Sequence, residues 1–340
     1  MPATGWNRAG SPSRRSSTTP IASPRARADA GERVVGWVRI PTTFPPGRAV
    51  ATTYPRCTDR VGRVASRRNT GPSAGVYPID TGTCAIIRDD DGAGWLVEVN
   101  GVQSSHIDPD DPRRLDFEYM RWMVAVIESR HARDEALRVL HLGAGACSLP
   151  RYLIDAFPRS RHVAVDVDAA LAELIREQFD LPRAPVLRVR VGDARAVTES
   201  LTDDSRDVVI RDVFAGAVTP PHLTTVEFTA EVHRVLRPNG LYLVNCADTR
   251  DLAHARAQTA TVADRFANVA IIADPAMLKG RRYGNVIIAG SDGPMESTPA
   301  LVKQLLAGAV PAGIRAAGQA AEFARAAAPL TDATAGVDGR

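Results

Sequence analysis

The chain has 340 residues, enough for one large or two modest domains, and its 44% hydrophobic and 24% charged residues are typical of a globular protein. It contains no apolar run long enough to cross a bilayer, and its start lacks the compact apolar segment of a secretory signal. The formal net charge of +3 hides an asymmetry, because residues 1–75 carry +10 and the rest of the chain carries −7.

Residues 1–75 are rich in Ser, Thr, Pro, Arg and Ala and show no hydrophobic period, so we predict a disordered basic segment. A short strand over residues 32–40 is the one exception that we expect. A basic arm could bind nucleic acid, but this segment lacks interleaved aromatic residues and lysine clusters. The pattern therefore argues against a nucleic-acid partner.

Residues 76–112 have the pattern of a small antiparallel β domain. Two β-like runs, TGTCAIIRD and GWLVEVNGVQ, are separated by the turn signal DDDGAG, which indicates a hairpin. Residues 115–130 then have apolar side chains at helical spacing, which predicts a helix that leads into the main domain.

The organising stretch of the chain is residues 137–168. It predicts a strand over 137–142, a turn at Gly143-Ala144-Gly145, a helix over 149–157 and a second strand that ends at Asp166. Two glycines allow a tight turn that a ligand can approach closely, and a carboxylate 21 residues after Gly145 suits a ribose hydroxyl. The third glycine of the dinucleotide motif is missing, so an ordinary tight turn stays an alternative.

Helices and strands then alternate over residues 169–289, which predicts a mostly parallel sheet with helices on both faces. Ligands of such sheets bind at the carboxyl ends of the strands. Gly143, Asp166, Asp193 and Asp212 all fall at predicted strand ends, which indicates one shared crevice. Helix capping could account for two of these polar positions.

Residues 293–340 are Ala-rich and predict a helical extension, with helices over 299–309 and 315–328 and an ordered end at Pro329-Leu-Thr-Asp332. The domain boundaries that we predict are thus 1–75, 76–112, 113–292 and 293–340.

Cysteine and histidine spacing argues against a metal site. The four cysteines are scattered without a C-x-x-C pair, and the histidines show no ligand spacing, so we expect no zinc site, no disulfide framework and a cytoplasmic location. Five of the seven histidines are expected to be surface residues or satisfied core residues, namely His131, His141, His162, His222 and His233.

Seven short motifs in fixed order within residues 80–290, and one beyond them, resemble the spermidine synthase-like family, a branch of the class I S-adenosylmethionine-dependent transferase fold. The motifs are Val99-Asn-Gly-Val-Gln103, Phe117-Glu-Tyr-Met120, Leu142-Gly-Ala-Gly-Ala-Cys147, Val165-Asp-Val-Asp168, Gly192-Asp-Ala194, Arg211-Asp212, Leu236-Arg-Pro-Asn-Gly240 and Pro329-Leu-Thr-Asp332. The resemblance implies a Rossmann-like class I methyltransferase fold preceded by a small β-hairpin domain.

The resemblance also implies roles for single residues. Asp212 stands at the position of the family's catalytic aspartate. The cofactor, S-adenosylmethionine or its decarboxylated form, is expected at Gln103, Gly143, Ala144, Gly145, Asp166, Val167, Asp193 and Ala194. Candidate substrate residues are Glu118, Tyr119, Phe214 and Asp332. A small-molecule acceptor and a homodimer are expected, with no metal and no membrane partner.

Departures from the family motifs decide which reaction we favour. The second carboxylate of the family's D-S-x-D is Ala215 here, and the glycine-motif aspartate, which holds the donor's amine, is replaced around Ala146 and Cys147. Loss of carboxylates disfavours a polycationic acceptor and favours ordinary S-adenosylmethionine. Methyl transfer is therefore the favoured hypothesis. Aminopropyl transfer to a diamine such as putrescine, and a non-catalytic nucleoside-binding protein of the same fold, are the alternatives.

Overall fold

Two β-sheets with flanking helices make up the described part of the chain, which in the computed structural model comprises residues 71–90 and 92–337. The short strand predicted over residues 32–40, and the predicted disordered segment 1–75 as far as residue 70, lie outside these residues. Gly75 at the end of that segment already belongs to the first strand. No helix in the described part is long and apolar enough to cross a membrane. The predicted domain boundaries stay predictions.

The small sheet has four antiparallel strands in the order β1-β2-β3-β4. They are β1 (Gly75–Ile79), β2 (Gly82–Arg88), β3 (Trp95–Val99) and β4 (Val102–Ile107). The prediction that GWLVEVNGVQ forms a single run was wrong, because Asn100 and Gly101 both have positive φ, 53° and 75°, and turn the chain back. Asn-Gly is the dipeptide that such two-residue hairpins prefer.

The large sheet has the strand order β12-β10-β11-β9-β8-β5-β6-β7. Its strands are β5 (Arg138–Leu142), β6 (Arg161–Asp166), β7 (Leu187–Val191), β8 (Arg206–Arg211), β9 (Leu236–Asp248), β10 (Asn268–Ala273), β11 (Gly284–Ser291) and β12 (Gly313–Ala316). Strands β5 to β9 pair in parallel, and β11 pairs antiparallel with both β9 and β10. The predicted mostly parallel sheet is confirmed.

Helices cover both faces of the large sheet. They are α1 (Glu118–Arg130), α2 (Ser148–Ala156), α3 (Ala169–Gln178), α4 (Ala194–Glu199), α5 (Val226–Val235), α6 (Ala253–Ala263), α7 (Pro275–Leu278), α8 (Pro299–Leu306) and α9 (Gly318–Ala324). Successive residues of β5 belong to different parts of the core: Leu140 lies in the same buried cluster as Phe228 of α5, and Val139 lies in the cluster that contains Met123 of α1. This alternation is the two-residue period of a strand buried on both faces.

Two predicted elements differ from the structure. The predicted helix over residues 315–328 was wrong in its first part, because Gly313–Ala316 pairs antiparallel with the open edge of β10 as strand β12. Backbone pairing at that edge outweighs the helix propensity of the alanines, which form only the shorter α9. Strand β9 begins at Leu236, earlier than the predicted Leu241, and includes a register shift against β8.

A matched pair of leucine substitutions tests this core. Leu243 of β9 is fully buried in the core cluster that contains α1, whereas Leu306 at the end of α8 is 54% exposed. We expect Leu243→Ala to lower the free energy of unfolding by about 2–5 kcal/mol, because it removes packed methyl groups and leaves a cavity. Leu306→Ala is expected to change it by less than about 0.5 kcal/mol in the same urea titration. Equal losses would contradict the described packing.

Candidate functional site

One cavity of about 540 Å³ opens at the carboxyl ends of β5, β6 and β8, below the last strand of the small sheet. It brings together nearly all residues that the sequence analysis selected. Those that line it are Gln103, Glu118, Tyr119, Gly143, Ala144, Gly145, Asp166, Val167, Asp193, Ala194, Asp212 and Phe214. The predicted shared crevice at the strand ends is therefore present, while the roles of these residues stay predictions.

The glycine turn after β5 forms the floor of the cavity. Gly143 has φ +90°, and a Cβ built on it would lie 2.1 Å from the carbonyl oxygen of Asp212, so only glycine fits. Asp166 Oδ2 accepts hydrogen bonds from the N–H groups of Ala144 at 3.2 Å and Gly145 at 3.3 Å. Burial raises the pKa of Asp166 despite these bonds. These hydrogen bonds therefore fix the position of the glycine turn relative to the end of β6.

The small sheet docks onto this turn through polar contacts. Ser105 Oγ accepts a hydrogen bond from Ala146 N–H at 3.0 Å, and the Ser148 hydroxyl donates to the carbonyl of His106 at 2.6 Å. Asp168, which caps α3 by accepting from Leu171 N–H, also accepts from the backbone and hydroxyl of Thr81 at 2.7 Å each. These contacts fix β4 as the upper wall of the cavity.

Asp193 has a structural task as well as a place in the lining. It caps α4 by accepting from Ala196 N–H at 2.9 Å, and its Oδ2 lies 2.8 Å from His222 Nε2. Burial acts to raise the pKa of Asp193, but these two partners hold it below the ordinary value. Helix capping thus accounts for one of the four predicted strand-end positions, Asp193, whereas Asp168, which also caps a helix, was not among them.

Asp212 lies at the centre of the site with both carboxylate oxygens bonded. The Tyr119 hydroxyl donates to Oδ2 at 2.9 Å, and Asn245 Nδ2 donates to Oδ1 at 2.9 Å. Burial raises the pKa of Asp212 above its ordinary value, although the two hydrogen bonds act in the opposite direction. The pKa of Tyr119 is raised as well, by burial and by the neighbouring carboxylate. The raised pKa of Asp212 makes its carboxylate a suitable proton acceptor.

The charges around the cavity have one sign. Five carboxylates line it, from Glu118, Asp166, Asp168, Asp193 and Asp212, and among the described lining residues there is no lysine or arginine. A cavity of this kind attracts cations and disfavours carboxylates or phosphates that bring no counter-ion. The electrostatics thus favour a sulfonium or ammonium ligand.

Asp332 does not contribute to the cavity, so its prediction as a substrate residue was wrong in location. Its two oxygens pair with the Arg195 guanidinium at 2.8 and 2.7 Å, and its N–H donates to Glu227. Leu330 O accepts from Val226 N–H, so the segment is fastened against the start of α5. The bidentate ion pair with the planar guanidinium of Arg195 explains why an aspartate stands at this position.

This pair makes stability depend on pH. The Arg195 hydrogen bond holds the pKa of Asp332 below its ordinary value, so its contribution is complete above the unfolded pKa and disappears as pH falls through the lowered folded pKa. We expect Asp332→Asn to cost about 1–2 kcal/mol in urea unfolding at pH 6, and the deficit to shrink below about pH 4. Glu322→Gln, at an exposed pair with Arg325, should cost under about 0.5 kcal/mol. A deficit independent of pH would contradict this account.

Several lining residues were not selected from the sequence. Asn245 of β9 was missed because its partner is 33 residues away and no local pattern links the two. His141 lines the cavity floor although alternation within β5 indicated only a core position. Ser105 was missed for a different reason, because the second hairpin turn was not predicted. The Asn-Gly dipeptide at 100–101 was the signal that could have placed it.

A separate cluster of possible metal ligands lies under the small sheet, and within the described ranges it consists of Asp89, His106 and Asp116. Arg114 lies among them, 3.3 Å from Asp89 and 3.1 Å from Asp116, while His106 Nε2 is 2.6 Å from Asp89. The guanidinium already neutralises the carboxylates, so the cluster is accounted for as a salt-bridge network.

Comparison with known proteins agrees with this geometry. A family model described as a methyltransferase domain matches residues 139–240, the part that carries the glycine turn and the strand-end aspartates. Together with the strand order of the large sheet, the match defines a class I S-adenosylmethionine-dependent transferase fold.

A probable spermidine synthase from Corynebacterium glutamicum has a solved structure that is 45% identical, with a TM-score of 0.74, and covers 79% of this chain and 98% of that one. The chain belongs to the spermidine synthase-like family. A polyamine aminopropyltransferase of Vibrio vulnificus is 29% identical over 167 residues, which are 48% of this chain and 54% of that protein. The chain thus spans about half the length of that curated relative.

Methyltransferases are also among the relatives. An eEF1A lysine and N-terminal methyltransferase of Xenopus laevis is 29% identical over 122 residues, which are 33% of this chain and 18% of that protein. The match is confined to a small part of the larger protein. It is consistent with a shared cofactor-binding fold and leaves the acceptor open.

Proposed function

We propose that the protein transfers an aminopropyl group from decarboxylated S-adenosylmethionine to an amine acceptor. The observation that carries this proposal is the cavity lining, with five carboxylates and no lysine or arginine among the described residues. A donor without a carboxylate and an acceptor with several ammonium groups are both cations, so both suit such a lining. This proposal reverses the preference for methyl transfer that motif departures alone favoured.

We expect the donor to bind in the orientation that the family resemblance implies. The adenosyl group is expected beside Val167, Asp193 and Ala194, with the ribose at Asp166 and the sulfonium above the turn at Gly143. Gln103 on β4 closes the cavity from the small-sheet side. The acceptor would enter past Glu118 and Phe214 toward Asp212, which agrees with the roles that the family resemblance implies.

The chemical step needs little beyond alignment and one proton acceptor. An acceptor ammonium passes one proton to the Asp212 carboxylate, and the resulting neutral amine attacks the carbon beside the sulfonium. The new N–C bond forms as the S–C bond breaks, so a secondary ammonium and methylthioadenosine are produced. Tyr119 and Asn245 hold the carboxylate in place for this proton transfer through their 2.9 Å hydrogen bonds.

Methyl transfer from S-adenosylmethionine is the second candidate, and one observation favours it. Ala146 stands where the resemblance places the carboxylate for the donor's amine; it is fully buried, and its N–H is bonded to Ser105. The glycine turn thus offers no carboxylate at that point. Ordinary S-adenosylmethionine would meet less repulsion there than in a family member that retains the acid.

Calorimetric titration with the two donors separates the candidates. Aminopropyl transfer predicts tighter binding of decarboxylated S-adenosylmethionine, and release of methylthioadenosine when a diamine or longer polyamine is added. Tighter binding of S-adenosylmethionine, with release of S-adenosylhomocysteine, would favour the methyltransferase instead. If a nucleoside binds but neither product is released, the non-catalytic nucleoside-binding alternative is favoured. If neither nucleoside binds, the transferase proposal fails. A homodimer stays a prediction that size-exclusion chromatography with light scattering would test.

A further inference from the structure

A buried histidine pair lies under the cavity floor and has no part in the step assigned to Asp212. His141 Nε2 is 3.0 Å from His162 Nδ1, and His162 Nε2 is 2.7 Å from the hydroxyl oxygen of Ser160. The two rings stack with centroids 5.3 Å apart. All three side chains are at least 96% buried, yet His141 also lines the cavity. The chain of polar atoms thus starts at the cavity and ends inside the protein.

The far end of this chain fixes the direction of its hydrogen bonds. The Ser160 hydroxyl has one hydrogen and donates it to the carbonyl of Phe157 at 2.6 Å. Its oxygen can therefore only accept, so His162 Nε2 carries a hydrogen and His162 Nδ1 is a bare acceptor. His141 must then donate from Nε2, which leaves its Nδ1 without a hydrogen.

Both imidazoles are neutral in this arrangement. Burial lowers the pKa of His162 to about 3, and burial together with the neighbouring ring lowers the pKa of His141 well below its ordinary value. A neutral imidazole has one N–H and one lone pair. The serine therefore selects, through two rings, which nitrogen of His141 presents a lone pair.

The lone pair is on Nδ1 of His141, the ring nitrogen that is available to a ligand in the cavity. Nε2 is committed to His162, and no described residue forms a hydrogen bond with Nδ1 of His141. His141 pairs with Ile210 in the parallel register, and Asp212 follows two residues later on the same face. Two residues advance about 6.7 Å along a strand, so His141 and Asp212 are close enough for one small ligand to contact both side chains.

We propose that His141 Nδ1 is the acceptor for the primary ammonium of the donor's three-carbon arm. The inference rests on the proposed function, because it needs a donor that carries this ammonium. The neutral Nδ1 can accept a hydrogen bond from the donor's ammonium without adding a charge to the cavity. It has no hydrogen to donate to the carboxylate of ordinary S-adenosylmethionine. His141 thus supplies the contact for which the buried Ala146 provides no side-chain oxygen. His162 and Ser160 are positioning residues that keep the acceptor unprotonated.

Two nucleosides that differ in the arm test the contact. In calorimetry, His141→Phe keeps an aromatic ring but removes the acceptor, so the affinity for decarboxylated S-adenosylmethionine should fall roughly tenfold or more. Methylthioadenosine lacks the ammonium, and its affinity should change less than about twofold on the same scale. His141→Asn, whose side-chain oxygen replaces Nδ1, should recover part of the loss. Unchanged donor affinity in His141→Phe, or equal losses for both nucleosides, would overturn the proposal.

The fixed acceptor can be measured without any donor. In protein labelled with 15N-histidine, His141 Nδ1 should resonate as an unprotonated nitrogen, and Ser160→Ala should shift part of the population to the other tautomer and weaken donor binding several-fold. A protonated Nδ1 in the wild type overturns this inference while leaving the aminopropyl proposal intact. Wild-type protein that binds methylthioadenosine but not the decarboxylated donor overturns both.

Discussion

Asp212→Asn is expected to lower kcat/KM for aminopropyl transfer by about 10²–10⁴, the usual contribution of a positioned proton acceptor. Both oxygens of this carboxylate are oriented by side-chain donors from separate elements, Tyr119 on α1 and Asn245 on β9. An asparagine side chain cannot take up the proton of the acceptor ammonium. Its amide nitrogen would also face one of these two donors.

The assay measures methylthioadenosine release with saturating donor and a series of acceptor concentrations. Donor affinity, measured by calorimetry, should change little, because the substitution removes a group from the acceptor side of the cavity. Asp207→Asn is a suitable control, since this aspartate lies in the same strand β8 and pairs with Arg237 away from the cavity. If both variants keep wild-type kcat/KM, Asp212 is not the proton acceptor.

Tyr119→Phe should move the acid limb of the pH profile to higher pH. Burial raises the pKa of Asp212, and the Tyr119 hydrogen bond opposes that rise, so removal of the hydroxyl lets the pKa rise further. Protonated Asp212 cannot accept a proton, so kcat/KM falls below the pKa and the fall begins at a higher pH in the variant. The measurement is kcat/KM over pH 5–9 for both proteins. A limb that moves to lower pH would contradict the described hydrogen bond.

Local sequence patterns predicted those parts of the site that depend only on residues close together in the chain. Gly143, Asp166 and Asp193 lie at or within two residues of strand ends, so chain order alone places them at one edge of a parallel sheet. The position of Asp332 could not be predicted in this way. Its partner Arg195 lies 137 residues earlier, and only tertiary packing makes that ion pair more favourable than a place in the cavity.

The same limit applies to the elements that the sequence analysis missed. Strand β12 forms because β10 presents an unpaired edge, which is a property of the assembled sheet and not of the Gly313–Ala316 segment. The histidine chain is another case, because the two rings come from different strands and lie 21 residues apart in the chain. Spacing rules for metal ligands and nucleophiles do not detect such a contact. It becomes visible only when side chains from β5 and β6 are placed side by side.

Gly143→Ala is expected to abolish donor binding, with a loss of affinity above about 100-fold, because the turn cannot keep its shape. A Cβ at this position would lie 2.1 Å from the carbonyl oxygen of Asp212, and backbone atoms on both sides have no rotamer to change. The turn must move away from β8, which displaces Ala144 and Gly145 from Asp166 as well. We therefore expect a stability loss of about 2–4 kcal/mol in addition.

Gly101→Ala separates steric conflict from backbone strain. Gly101 has φ +75°, close to the +90° of Gly143, but a Cβ there meets nothing within 4 Å. Its alanine variant should lose only about 1 kcal/mol of stability from the positive φ and should bind the donor normally. Urea unfolding and donor titration on both variants provide the comparison. If Gly143→Ala behaves like Gly101→Ala, the close approach of the turn to β8 is not what shapes the cavity, and the donor must be held by residues other than those of the glycine turn.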